Sequence, residues 1–219
     1  MIVLGIDTAT PATAVALAVP GREAVEARDD VEPGARPRHT QRVLELAAEV
    51  LARAGVGWAQ IGLVAVGVGP GGYTGLRLGL ATARGIARAH GARLGGVGTL
   101  RALAEPLGER PAVCVLDARR GEAFIAAYAG AAELAPPRVC APAELAGRAA
   151  PAGPGALAVG DGALRFASFL EAGGVAVAPA ESALHRVSAA AICRLALAGR
   201  LTAPIPDYQR APDAERTAR

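Results

Sequence analysis

From Arg53 to Arg77 no charged side chain intervenes, and the stretch holds eight glycines, Gly55, Gly57, Gly62, Gly67, Gly69, Gly71, Gly72 and Gly75, together with Pro70. A run this long is a candidate membrane helix by length alone. Its glycines and proline weaken any helix, and its properly apolar part is only Ile61 to Val68. The segment therefore divides into a buried strand over Ile61–Gly67, a loop of small residues, and a helix from Leu76 to Ala89 closed by His90-Gly91. Strand, glycine turn and helix in that order belong to an α/β protein.

The flanking segments extend this pattern. Ile2-Val3-Leu4-Gly5-Ile6 reads as a buried strand ending in Asp7-Thr8-Ala9-Thr10-Pro11, with Thr13–Val19 returning beside it and a more polar strand near Ala24–Arg28. After the loop Asp29–Arg38, which contains Pro33, Gly34 and Pro37, a helix is predicted over Thr40–Ala54. It gathers Val43, Leu44, Leu46, Ala47, Val50 and Leu51 on one face, with Gln41, Arg42, Glu45 and Glu49 opposite. The Leu76–Ala89 helix is apolar nearly all round, relieved only by Thr82 and a stripe of Arg77, Arg84 and Arg88. Such a helix must be covered on more than one side. Its own sheet is one cover, and Gly79, Ala83 and Gly85 would admit the Thr40–Ala54 helix as another. The remaining side belongs either to a partner chain or to a third layer of the same chain.

A helical Leu100–Leu107 leads to a second unit that opens at Pro111 with strand Ala112–Leu116, turn Asp117–Gly121 and strand Glu122–Tyr128. Strand, aspartate, turn, strand repeats the opening of the chain, so two related lobes are expected, residues 1–107 and 108–219. Leu157–Gly162, a strand at Val175–Ala178 and a helix over Ala183–Ala198 follow, and the tail from Pro204 is predicted to be extended.

Composition removes several chemistries. The chain has no lysine, so a Walker-type phosphate lysine, a Schiff base and a kinase ATP-site lysine are all excluded. Cys114, Cys140 and Cys193 show no paired spacing, which argues against a disulfide framework or zinc knuckle, and Cys114 and Cys193 read as core residues. His39, His90 and His185 lack metal-motif spacing, and Ser168, Ser182 and Ser188 lack a nucleophile setting. The arginines are scattered and only 3% of residues are aromatic, so the net charge of +3 reads mostly as solvated surface. The N-terminal stretch lacks the pattern of a signal peptide, and the cytoplasm is the expected compartment.

Gly67, Gly69 and Gly72 satisfy G-x-G-x-x-G between strand and helix, but no acid stands about 20 residues on, as dinucleotide binding requires. What remains is a loop that offers backbone N–H groups to an anion or to a close backbone. Asp7, Thr8 and Thr10 supply oxygens suited to a magnesium-bound phosphate, or else a local turn. With Gly69, Gly71 and Gly72 they make a candidate vestigial phosphate loop; no catalytic, cofactor or metal site is assigned.

The ordered set Ile6-Asp7-Thr8-Ala9-Thr10, His39-Thr40-Gln41, Gly69-Pro70-Gly71-Gly72-Tyr73-Thr74-Gly75-Leu76-Arg77, Asp117-Ala118-Arg119-Arg120-Gly121-Glu122 and Pro206-Asp207-Tyr208-Gln209-Arg210 resembles the TsaB (YeaZ) family. The resemblance spans essentially the whole chain. It implies an actin-like ATPase (ASKHA, ribonuclease H-like) fold, with mixed sheets flanked by helices in two related lobes, the second reduced. It implies a non-catalytic, cofactor-free subunit in the formation of N6-threonylcarbamoyladenosine at position 37 of ANN-decoding tRNAs. The family pairs with TsaD as a heterodimer, joins TsaE in a larger complex, meets tRNA through that complex and homodimerises when alone. The implied partner surface is the helix pair, with Val43, Leu44, Ala47, Val50, Leu51, Leu76, Leu80, Ala83 and Arg84. The metal histidines that the catalytic relative carries after the corresponding helix are replaced by Val97-Gly98-Thr99-Leu100-Arg101-Ala102-Leu103-Ala104-Glu105. Gln209 stands where the family often has an apolar residue. The competing reading is a small-substrate kinase or ATPase using Asp7 and the Gly69–Gly75 loop.

Overall fold

A computed structural model describes residues 1–32 and 35–209. Pro33 and Gly34 of the predicted loop, and Arg210 with the rest of the tail, lie outside the described residues. The chain forms two compact units: Met1–Ala102 together with Val187–Pro206, and Leu103–Arg186 together with the residues from Asp207.

The first unit is built on a five-stranded sheet of β1 (Ile2–Asp7), β2 (Thr13–Ala18), β3 (Val25–Asp29), β4 (Ile61–Gly67) and β5 (Arg93–Val97), in the order β3-β2-β1-β4-β5. β1, β2 and β3 pair antiparallel with one another, and β4 and β5 continue the sheet in parallel from β1. Central strands covered on both faces read as continuous apolar runs. Leu4, Ile6, Val15, Leu17, Val64 and Val66 meet α1 (His39–Ala54) and α2 (Tyr73–His90) on one face. Both helices end on left-handed glycines, Gly55 and Gly91. α2 starts three residues before Leu76, because Gly72 accepts its first turn and Tyr73 and Thr74 are already helical.

In the second unit, β6 (Ala112–Arg119), β7 (Glu122–Ala129), β8 (Ala132–Cys140), β9 (Leu157–Val159) and β10 (Ala176–Val177) pair in the order β10-β9-β6-β7-β8. β6–β7–β8 are antiparallel and β6–β9–β10 parallel, so the topology repeats that of the first sheet strand for strand. The repeat bears out the duplication read from the two strand-aspartate-turn openings. Short helices α3 (Thr99–Ala104), α4 (Leu145–Ala149), α5 (Asp161–Arg165) and α6 (Ala167–Ala172) complete the helical elements up to this point. This is the two-lobe actin-like α/β fold with a reduced second lobe.

A single boundary at residue 107 does not describe the structure. The predicted Ala183–Ala198 helix is interrupted: a 3₁₀ turn over Ala183–His185 is followed by α7 (Ala189–Leu197), which packs on β1 and β2 of the first sheet. Glu26 of β3 explains the return. Its carboxylate accepts the Ala189 N–H at 3.0 Å, the Ala190 N–H at 3.3 Å and the Ser188 hydroxyl at 2.7 Å, an acid held at a helix N-terminus. One turn along α7 the buried Cys193 thiol faces the carbonyls of Val3 and Ala16, each at 3.6 Å, and burial pushes its pKa up to about 12. Beyond α7, Thr202 forms an antiparallel bridge with Gly96 at the β5 edge.

Candidate functional site

β1 ends at Asp7 and its parallel neighbour β4 ends at Gly67, so the aspartate turn and the glycine loop emerge from one edge of the sheet. The loop closes over the turn. Gly72 N–H donates to the Ala9 carbonyl at 2.7 Å, and the Thr8 hydroxyl donates to the Gly75 carbonyl at 2.8 Å. Thr99, which opens α3, completes the closure. Its N–H donates to the Gly69 carbonyl at 2.7 Å, and its hydroxyl accepts the Gly69 N–H at 3.1 Å and donates to Asp7 Oδ2 at 3.2 Å. Asp7 Oδ1 accepts the Ala9 N–H at 3.0 Å.

Proximity dictates glycine here. A Cβ on Gly67 would lie 2.0 Å from Asp7 Oδ2, one on Gly75 2.1 Å from the Thr8 carbonyl oxygen, and one on Gly79 2.2 Å from the Thr8 hydroxyl. Gly79 thus makes room for the turn rather than for a neighbouring helix, and a Cβ on Gly85 would meet nothing within 4 Å. Asp7 and Thr8 are each 1% exposed. Burial raises the Asp7 pKa to about 6, against the opposing pull of the Ala9 N–H and the Thr99 hydroxyl.

The structure brings Asp7, Thr8, Gly69, Gly71 and Gly72 together and leaves Thr10 half-buried beside them. The Gly69 and Gly72 N–H groups donate to the chain's own oxygens, so the arrangement acts as a clasp between strand end and helix start. His39, the first residue of α1, joins it through a 2.8 Å hydrogen bond between its Nδ1 and the Thr13 hydroxyl. Burial lowers the His39 pKa, partly opposed by Asp29. Asp29 is in turn held by Arg38 and by Arg42 Nε at 3.5 Å. The Thr13–His39 pair had no signal in sequence spacing.

The second unit's counterpart, Asp117, sits differently. Its Oδ2 accepts from Arg165 at 2.7 Å, with Arg119 at 3.5 Å, and its Oδ1 accepts the Arg119 N–H at 2.8 Å. The Asp117 N–H donates to Asp161 Oδ1 at 3.1 Å.

The nine residues expected at a partner surface separate into two groups. Val43, Ala47, Val50, Leu51, Leu76, Leu80 and Ala83 are buried in the core of their own unit, whereas Leu44, at 52% exposed, and Arg84 reach solvent. An apolar wheel cannot tell a sheet-facing residue from a partner-facing one. Apolar surface that remains outside includes a groove of about 350 Å³ lined by Leu44, Trp58, Thr82, Gly85, Ile86, Ala89 and His90. Trp58 and His90 stack there, ring centroids 5.6 Å apart and 18° from parallel. Sequence reasoning took His90 only as the close of the helix and did not mark Trp58, although it is the chain's one tryptophan and follows the Gly55 helix stop.

Among the described residues no helix is long and apolar enough to cross a membrane, and no group of three or more His, Cys, Asp or Glu is placed to hold a metal ion. A family model described as TsaD, tRNA N6-adenosine threonylcarbamoyltransferase, matches residues 33–193. The tRNA threonylcarbamoyladenosine biosynthesis protein TsaB of Escherichia coli is 36% identical over 132 residues, 58% of this chain and 55% of that protein. TsaB of Haemophilus influenzae is 33% identical over 125 residues, 55% of this chain and 51% of that protein. The chain thus spans about half the length of these curated relatives. The structure of YeaZ from Pseudomonas aeruginosa superposes with a TM-score of 0.77 at 24% identity, covering 94% of this chain and 99% of that one. The chain belongs to the TsaD-type family of tRNA threonylcarbamoyladenosine proteins, on its TsaB (YeaZ) side.

Proposed function

We propose that the chain is a non-catalytic subunit of the machinery that forms N6-threonylcarbamoyladenosine on tRNA, and that it docks a TsaD-type protein through the outer face of α1 and α2. The observation that carries this is the groove around Leu44, Trp58 and Ala89. An apolar concavity beside a stacked aromatic pair, on the helices the family pairs through, suits burial against another protein. The self-satisfied Asp7 clasp supports the non-catalytic part, because the groups that would act on a substrate already bond one another. In this reading TsaE joins through the larger complex, and the chain homodimerises through the same face when alone.

Size exclusion of the chain with a TsaD-type protein tests this directly, and failure to co-elute would sink it. Leu44→Asp and Ala89→Asp place a charge in the groove without touching the core, so each is expected to abolish co-elution while leaving the thermal transition of the isolated chain in place. Val50→Asp and Leu80→Asp would instead put a charge in the chain's own core and unfold it. The kinase or ATPase reading predicts heat on titrating Mg-ATP; the occupied Gly69 and Gly72 N–H groups lead us to expect none.

A further inference from the structure

The solvent side of α2 carries a feature that the groove does not use. Arg77, Arg84 and Arg88 stand at i, i+7 and i+11, which on a helix of 3.6 residues per turn places them within about 40° of one another. All three are exposed. The groove residues Thr82, Gly85 and Ala89 lie about 100° further round the same helix, so the stripe and the groove occupy different faces of α2.

The stripe differs from the four arginines of β3 and α1 and the loop between them. Arg28 pairs with Glu26 and Asp30, Arg38 with Asp29, Arg42 with Asp29 and Glu45, and Arg53 with Glu49. Among the described residues Arg77, Arg84 and Arg88 have no acidic partner, and α2 contains no Asp or Glu at all. Their contacts are with neutral groups. Arg77 donates to the Tyr73 hydroxyl at 2.6 Å and lies 5.2 Å over its ring, and Arg84 donates to the Pro204 carbonyl at 2.8 Å. These contacts orient two guanidinium groups and neutralise neither. The planar fork of arginine suits phosphate oxygens, and Tyr73, 40% exposed at the end of the stripe, offers a ring face on which a base can stack.

We infer that the Arg77–Arg84–Arg88 stripe, with Tyr73 at its end, is a contact surface for an RNA phosphodiester backbone. The inference rests on the reading that the chain serves tRNA modification, and it departs from the expectation that tRNA meets the chain only through its partner. A stripe of charge without base-reading side chains positions RNA and does not select its sequence.

The test is fluorescence anisotropy of the full chain with a labelled unmodified ANN-decoding tRNA transcript across a salt series, beside polyglutamate of similar length. Arg77→Gln/Arg84→Gln/Arg88→Gln is expected to weaken tRNA binding at least tenfold at low salt. It should also make the plot of log affinity against log salt shallower by about one for each arginine removed. The triple lysine variant should keep most of the salt slope, and Tyr73→Ala should weaken binding without changing it. Unchanged tRNA affinity in the glutamine variant overturns the inference, as does an equal loss for polyglutamate, which marks an acidic protein surface as the occupant. Single glutamine variants, expected to act in the same direction, carry the test if the triple variant melts early. Co-elution of the glutamine variants with the TsaD-type protein must be retained; loss of co-elution with tRNA binding intact assigns the stripe to the protein interface. Leu44→Asp, which breaks the docking reading, should leave tRNA binding by the isolated chain unchanged, so the two readings fail separately.

Discussion

Each unit carries an aspartate at or near the end of the corresponding strand of its own sheet, and the two units treat it in opposite ways. Asp7 is sealed beneath a glycine loop and held only by neutral donors, and its pKa rises to about 6. Asp117 lies at a rim where Arg165 and Arg119 supply countercharge. The difference follows from what comes after the next parallel strand. β4 is followed by Val68-Gly69-Pro70-Gly71-Gly72, long enough to fold back over the turn, whereas β9 is followed by Gly160 and then directly by α5. Identical topology therefore yields an acid closed among neutral donors where the loop is long and an acid paired with exposed arginines where it is short.

The sharpest way to break the clasp is Gly75→Ala, which drives a methyl into the Thr8 backbone. It is expected to cost about 3 kcal/mol or to prevent folding, read by urea denaturation. Close to it in size is the pH dependence. Asp7 ionises near its ordinary 3.8 in the unfolded chain and near 6 in the folded one, so between these values the native state holds a proton that the unfolded state has lost. Stability from this group is therefore present at acid pH and falls as pH rises through 6, by about 3 kcal/mol in all. Unfolding titrations at pH 4 and pH 7.5 should show that fall, and Asp7→Asn should flatten it; an unchanged slope would mean that Asp7 is not the group responsible. Gly85→Ala, ten residues beyond Gly75 on the same helix but in open space, should stabilise by up to about 1 kcal/mol in a thermal melt. Asp117→Asn weakens an ion pair whose Arg165 partner is half exposed and should change stability by less than about 1 kcal/mol, read in the same thermal melt.

Much of the first unit was legible because its signals are local. Apolar runs gave β1, β2 and β4, the wheel gave α1 and most of α2, and the Asp7 and Asp117 turns pointed to the duplication. β8 was missed because Pro136-Pro137 reads as a break, a placement that an edge strand tolerates. The return of α7 to the first sheet was missed because the Glu26 anchor lies 163 residues from Ala189 in sequence. At the site, residue type announced the glycine loop but not its use. Whether Gly75 faces a phosphate or the Thr8 carbonyl depends on a long-range contact that spacing does not encode.

That long-range return also orders events in time. Because α7 covers one face of β1 and β2, the unit that begins the chain stays incomplete until residues up to Leu197 have been synthesised. Leu103–Arg186, the bulk of the second unit, is contiguous and is translated in full before α7, so on the ribosome that part can finish folding first. Until then the opening hairpin waits with an apolar face uncovered, the interval in which a nascent-chain chaperone has something to hold.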